Sequence, residues 1–176
     1  MKWLRNFVLY LLLFVAALIL FAPKANLYFL LEEKLQPYGV VVDGETPKDR
    51  GFWFEIRDAD LYVKEIESAN AERVSVALFG LYNRVVIEKV TLSPALAKLF
   101  PEGVGHIEII YAVWDPMHLH IAAEGDFGTA DALVSIPERS IGADVVPSEL
   151  MQNRFAATLR QLKKNETGGY RYETRF

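Results

Sequence analysis

The longest uninterrupted apolar stretch lies near the start of the chain. Every residue from Phe7 to Ala22 is apolar, and residues 6–23 carry no charge. A helix of that length spans about 27 Å, close to the ~30 Å hydrocarbon core of a bilayer. The pattern therefore predicts a transmembrane signal anchor within residues 1–25. The side chains expected to face lipid are Phe7, Leu11, Leu12, Phe14, Leu18, Leu20 and Phe21.

Basic residues before this stretch predict its orientation. Lys2 and Arg5 precede it without any acid, so the positive-inside rule keeps the N-terminus in the cytoplasm. A cleaved signal peptide is the alternative, but cleavage needs small residues, and the stretch ends in Leu18-Ile19-Leu20-Phe21. We therefore expect a single-pass protein of the bacterial inner membrane, with its main domain in the periplasm.

A short amphipathic helix is predicted directly after the anchor. Asn26 is a capping residue, and leucines follow at helical spacing until Pro37 and Gly39 end the pattern. Leu27 and Leu31 share one face of this helix. That face is expected to pack on the domain, on the bilayer or on a partner helix.

Period-two alternation replaces helical spacing between Gly39 and Ile136. Phe52-Trp53-Phe54-Glu55-Ile56-Arg57 is one example, and turn residues interrupt such runs every 8 to 12 positions. Both features are typical of antiparallel strands. We expect seven to nine of them.

Two further helices and a last strand complete the predicted fold. Ser93-Pro94 is suited to begin a short helix that ends at Phe100, and residues 147–164 carry apolar residues at helical spacing. Residues 169–176 alternate again. The predicted fold class is mainly β (α+β): an N-terminal single transmembrane helix, then an antiparallel sheet, sandwich or β-groove with two or three short helices. The anchor occupies residues 1–25 and the periplasmic domain residues 26–176.

Composition and charge narrow the function. The chain has 19 Lys plus Arg against 23 Asp plus Glu, and no cluster of basic residues, so nucleic acid is not an expected partner. The absence of cysteine excludes disulfides, thiol catalysis and thiolate metal sites.

The histidine pair is the most suggestive chemical motif. His118 and His120 would point to the same face of a strand, near Asp115. With only one other histidine in the chain, we interpret them as residues of a polar face and expect no metal. Asp126-Phe127-Gly128 is interpreted as a turn, because no other kinase motif accompanies it. We expect no catalytic residues, no cofactor and no enzymatic activity.

Aromatic residues on the predicted strands suggest binding instead. If both sheet faces are apolar, one covers the core and the other needs a helix, a partner or lipid; filling a sandwich core is the alternative. The last strand also offers free main-chain groups for strand addition. The candidate interaction residues are Leu27, Leu31, Trp53, Tyr62, Tyr170, Tyr172 and Phe176.

Several short motifs together resemble the type II secretion system protein N family, in its shorter, divergent branch. They are Pro23-Lys24-Ala25-Asn26-Leu27-Tyr28-Phe29-Leu30-Leu31-Glu32-Glu33, Val40-Val41-Val42, Asp58-Ala59-Asp60-Leu61-Tyr62-Val63, Gly125-Asp126-Phe127-Gly128 and Gly168-Gly169-Tyr170-Arg171-Tyr172-Glu173.

The resemblance implies a β-rich periplasmic domain similar in build to AsmA-class proteins. It also implies a non-enzymatic, membrane-anchored component of a secretion or envelope-spanning machine that acts by protein–protein interaction. Its expected partners are other subunits of that machine and the lipid bilayer. A lipid-binding or lipid-transport module, whose sheet shields acyl chains, is the alternative.

Overall fold

The structure, a computed structural model, describes residues 2–21, 33, 40–43, 46–51, 53–63, 66–79, 81–165 and 168–176. Leu27 and Leu31, on the predicted helix after the anchor, lie outside these residues.

The first helix, α1, covers Lys2–Phe21. Among the described residues, no helix is both long and apolar enough to cross a membrane. The predicted transmembrane anchor is therefore wrong, and so is the predicted single-pass placement in the inner membrane.

The side chains predicted to face lipid are all exposed on α1. The helix therefore contributes none of these seven to the core of the protein.

The rest of the described chain is mainly β and antiparallel, as the alternation predicts. Eleven strands form one sheet, more than the seven to nine expected, because the shortest strands show too little alternation to be recognised. The strands are β1 Val40–Asp43, β2 Thr46–Asp49, β3 Trp53–Val63, β4 Ile66–Leu78, β5 Tyr82–Leu92, β6 Gly103–Ala112, β7 His118–Gly125, β8 Gly128–Ser135, β9 Ser140–Pro147, β10 Lys163–Lys164 and β11 Tyr170–Arg175.

The sheet is a meander. From β3 to β9 each strand pairs with the next in sequence, and β11 and then β10 follow β9. At the opposite edge, β1 and β2 pair with two successive parts of β3, with Asp43 opposite Asp60 and Thr46 opposite Arg57. Because almost every pairing is local, each turn sets the register of the strand that follows it.

Alternation gives the sheet two chemically different faces. Directly opposed residues form a row across eight strands on each face. The central row of the apolar face is Phe54, Val76, Val85, Ile109, Ile121, Ala132, Ala143 and Tyr172. The central row of the charged face is Glu55, Ser75, Val86, Glu108, Ala122, Asp131, Asp144 and Arg171.

Irregular residues keep the apolar face continuous. Ile87 and Val90 are three positions apart and would face opposite sides of a regular strand. Lys89, with φ of 54°, lies between them, and Val90 packs in the same cluster as Ile87. Asp58, also at φ 54°, occupies a similar place on β3. A residue at positive φ interrupts the regular alternation of side chains. The pairing register is the same before and after Lys89 and Asp58, so neither residue adds a position to its strand.

The core lies on this apolar face in two clusters. Phe54, Ile56 and Ala59 form the first, with Val74 and Val76 packed against it. The second contains Ala69, Val90 and Val104, with Phe127 among its neighbours. Both clusters lie on β3 to β6 and the adjoining turn, so this half of the sheet carries most of the buried apolar surface.

Two short helices cover one end of the sheet, which we call the covered end. They are α2, Glu149–Arg154, and α3, Ala156–Leu159, and each buries one side chain, Met151 or Leu159. Thr158 Oγ1 donates a 2.8 Å hydrogen bond to the carbonyl of Leu99, which ties α3 to the β5–β6 connection.

Two helix predictions need correction. Residues 94–99 form successive turns, because Ala97 bonds back to Ser93 but Leu99 bonds only to Leu96, so no α-helix forms. The single helix expected over 147–164 is interrupted at Phe155, and its end is drawn into the sheet as β10.

Candidate interaction surface

On the sheet and its connections, exposed apolar side chains concentrate at the end opposite the covered end. They lie on the connections after β4, β6 and β8 and directly after β11. We call this group the apolar rim; it consists of Phe79, Leu81, Val113, Trp114, Met117, Ile136 and Phe176.

Backbone hydrogen bonds join the connections of the apolar rim to one another. Each connection is therefore fixed to its neighbour. The three bonds, all 2.9 Å long, run from Val113 N to Leu81 O, from Ile136 N to Met117 O, and from Phe176 N to Arg139 O.

Trp114 is the largest side chain of the apolar rim. It stacks on Tyr82 with ring centroids 6.1 Å apart and an interplanar angle of 12°, yet remains 72% exposed. Stacking on Tyr82 restricts the indole without burying it. A large aromatic side chain in this state is typical of an interface anchor.

The carboxylate of Asp115 bridges two histidines beside the apolar rim. His118 Nδ1 lies 2.6 Å from Oδ1 of Asp115, and His120 Nε2 lies 2.9 Å from Oδ2. The hydrogen bond to His118, followed by that to His120, holds the pKa of the Asp115 carboxyl below its ordinary value. These two contacts therefore order the β6–β7 connection next to Trp114.

Charges on the charged face are extensively paired. Glu55, only 6% exposed, accepts from Arg57 Nε at 2.5 Å and from Arg50 Nε at 3.2 Å, and Arg73 lies 3.9 Å away. Arg73 also donates to Glu88 at 2.9 Å. The bond from Arg57 is the main cause that holds the pKa of Glu55 below its ordinary value, although burial acts in the opposite direction.

We expect Glu55→Gln to make stability less dependent on pH. Because the folded-state pKa of Glu55 is lowered, its ionised carboxylate stabilises the fold above the ordinary pKa of about 4.3, and this contribution is lost as the pH falls through the lowered value. Urea midpoints should be lower for Glu55→Gln than for the native chain at pH 7, and the two should converge as the pH falls below the lowered pKa of Glu55. The exposed residue Glu102 offers a matched control, Glu102→Gln, that should track the native chain; a constant gap for Glu55→Gln at all pH values would contradict the assignment.

A broad groove of about 1060 Å³ lies on the charged face between β6 and β11. At its β9–β11 side, Arg171 donates to Asp144 at 3.3 Å and to Glu173 at 2.7 Å. Hydrogen bonding to Glu173 is the main cause that raises the pKa of Arg171. Within the described residues, no group of three or more His, Asp or Glu side chains has the geometry of a metal site.

The predicted interaction residues do not form one site. Trp53, 45% exposed, and Phe176, 66% exposed, lie at the end of the sheet that carries the apolar rim. Tyr62 and Tyr170 are half-buried at the covered end. Tyr172 lies on the apolar face, in the middle of β11.

Most of the apolar rim was not predicted from the sequence. Val113-Trp114-Asp115-Pro116-Met117 carries the signal that was available: large apolar residues directly beside a turn, where solvent exposure is expected. Trp114 alone stands out as an aromatic residue, whereas Leu81 and Ile136 look like ordinary strand ends.

Comparison with known proteins adds no relative. No family model, curated protein or solved structure matches the chain.

Proposed function

We propose that this protein is a non-enzymatic binding component of a secretion or envelope-spanning machine, and that it acts by protein–protein contact through the apolar rim. The exposure of seven large apolar side chains at one end of the sheet is the observation that carries the proposal. Contiguous exposed apolar groups at this density mark interaction sites in soluble domains.

The surroundings of the apolar rim favour a protein partner. Asp115 and Glu138 lie on two of its connections, with Arg139 and Arg175 close by. A centre of aromatic and aliphatic side chains bordered by charges of both signs resembles a protein interface. The motif resemblance to the type II secretion protein N family supports the choice of machine.

A lipid-binding module is the second candidate, and the apolar face favours it. Six of the eight residues in its central row are only half-buried, and Tyr172 is 47% exposed. An acyl chain lying along this row would remove further apolar surface from water.

Site-specific crosslinking separates the two candidates. We expect a photoreactive residue in place of Trp114 to yield an adduct of one discrete protein mass in the native cells, and the same residue in place of Asp131, on the charged face, to yield none. Leu81→Asp in the same chain should reduce the adduct at least tenfold, because a carboxylate in an apolar interface core is costly to desolvate. An adduct that contains phospholipid and no protein would support the lipid-binding module instead, and equal yields at both positions would contradict the proposal.

A further inference from the structure

Within the described part of the chain, one side of β11 is almost without a neighbouring strand. The other side pairs with β9 along all six residues, from Tyr170 opposite Val145 to Arg175 opposite Ser140. On the open side, β10 reaches only the first two residues, Tyr170 and Arg171.

Hydrogen-bond alternation identifies the backbone groups on this open side. The amide of Phe176 donates to the carbonyl of Arg139, the residue directly before β9 that lies opposite it. Every second residue of a strand points its backbone groups the same way, so Thr174 and Tyr172, like Phe176, direct theirs toward β9. Glu173 and Arg175 therefore direct theirs away from β9. No strand in the described part of the chain lies opposite these two residues.

We propose that a second copy of this chain pairs with this open side, antiparallel, about a two-fold axis that passes between the two Thr174 residues. Glu173 of each copy then lies opposite Arg175 of the other. These are the residues whose amide and carbonyl groups point outward, so the geometry forms four backbone hydrogen bonds. A strand edge is a ready template for such addition.

With the axis at Thr174, the side chains on both faces of the sheet meet suitable partners across the two copies. On the charged face, two Glu173–Arg175 pairs form across the axis, and Arg175 has no ion pair within the described chain. On the apolar side, Tyr172, 47% exposed, meets Phe176, 66% exposed, in two symmetric pairs. Opposed charges and aromatic pairs both stabilise neighbouring antiparallel strands.

Charge also disfavours the neighbouring symmetric registers. An axis at Glu173 would place the two Glu173 carboxylates opposite each other, and an axis at Arg175 would do the same to the two guanidinium groups. Like charges directly opposite are destabilising. An axis at Tyr172 would place Glu173 opposite Arg171, but β10 already pairs with Arg171 on this side. The axis at Thr174 is therefore the register that brings opposite charges together without displacing β10, and this self-complementarity is the reason to choose a second copy as the occupant.

A single cysteine provides the first test, because the chain has none of its own. The two Thr174 side chains form a non-hydrogen-bonded pair with Cβ atoms about 4.5–5.5 Å apart, within reach of a disulfide. Thr174→Cys should form a reducible dimer under mild oxidation at least tenfold faster than Thr129→Cys, an exposed position on β8. Equal rates would overturn the proposal.

Charge exchange provides the second test and does not depend on the cysteine. In sedimentation equilibrium at low salt, Glu173→Arg and Arg175→Glu should each weaken self-association about tenfold, and the double variant Glu173→Arg/Arg175→Glu should restore it, because the opposed pairs return with reversed signs. Circular dichroism of each variant checks that the sheet remains folded. A dimer that survives both single changes, or a double variant weaker than both, would overturn the proposal.

Discussion

Replacing Phe54 with alanine is expected to lower the free energy of unfolding by about 3–5 kcal/mol. Phe54 is 2% exposed and packs with Ile56 and Ala59 in a cluster that also takes in Val74 and Val76. Alanine would remove the ring and leave a cavity among side chains fixed by strand pairing, which cannot collapse freely into it. Urea unfolding, followed by circular dichroism, measures the change.

The residue before Phe54 in the sequence offers the matched control. Trp53 is a larger aromatic residue, but it points to the charged face and is 45% exposed. Trp53→Ala should cost clearly less than Phe54→Ala, because much of the indole already contacts water. If the two variants unfolded at the same urea concentration, the assignment of the core to the apolar face would be wrong.

Gly128→Ala is expected to cost more than about 3 kcal/mol. Gly128 has φ of 114°, a conformation reserved almost entirely for glycine. A Cβ there would also lie 2.1 Å from the carbonyl oxygen of Val146 and 2.7 Å from the amide nitrogen of Ser148. Both are backbone atoms of β9 and the residue after it, so relief requires movement of the strand itself.

Gly142→Ala is the control for this second substitution. Gly142 lies within β9, where an added Cβ meets only the side chain of Arg171, at 3.8 Å. Its thermal midpoint should stay within a few degrees of the native value, whereas that of Gly128→Ala should fall by more than ten. A Gly128→Ala variant as stable as Gly142→Ala would contradict the described turn between β7 and β8.

The strands could be predicted from the sequence, whereas the positive-φ residues within them could not. Alternation around Phe54 and Ile56 identifies β3, because successive side chains of a strand point to opposite faces and the polarity of each residue indicates its face. A positive φ could not be predicted from the residue type at Lys89 or Asp58, since that conformation arises from pairing with neighbouring strands.

For the N-terminal helix, the secondary structure was predicted correctly and the membrane crossing was predicted wrongly. Hydropathy predicts that Phe7 to Phe21 is helical, and it is, but no described helix is long and apolar enough to cross a membrane. Most of the apolar rim was missed because the sequence does not show which strand ends are covered. Whether Leu81 is buried depends on what covers the end of β5, which is a property of the complete sheet.

The meander also determines how cooperatively this protein is held together. From β3 to β9 of the described chain, strand contacts lie between strands that are adjacent in sequence, so hairpins can form in succession without long loop closures. Stability then approaches a sum of nearest-neighbour terms, as in solenoids. The buried clusters of β3 to β6 would act as the nucleus on which the remaining strands are added one at a time.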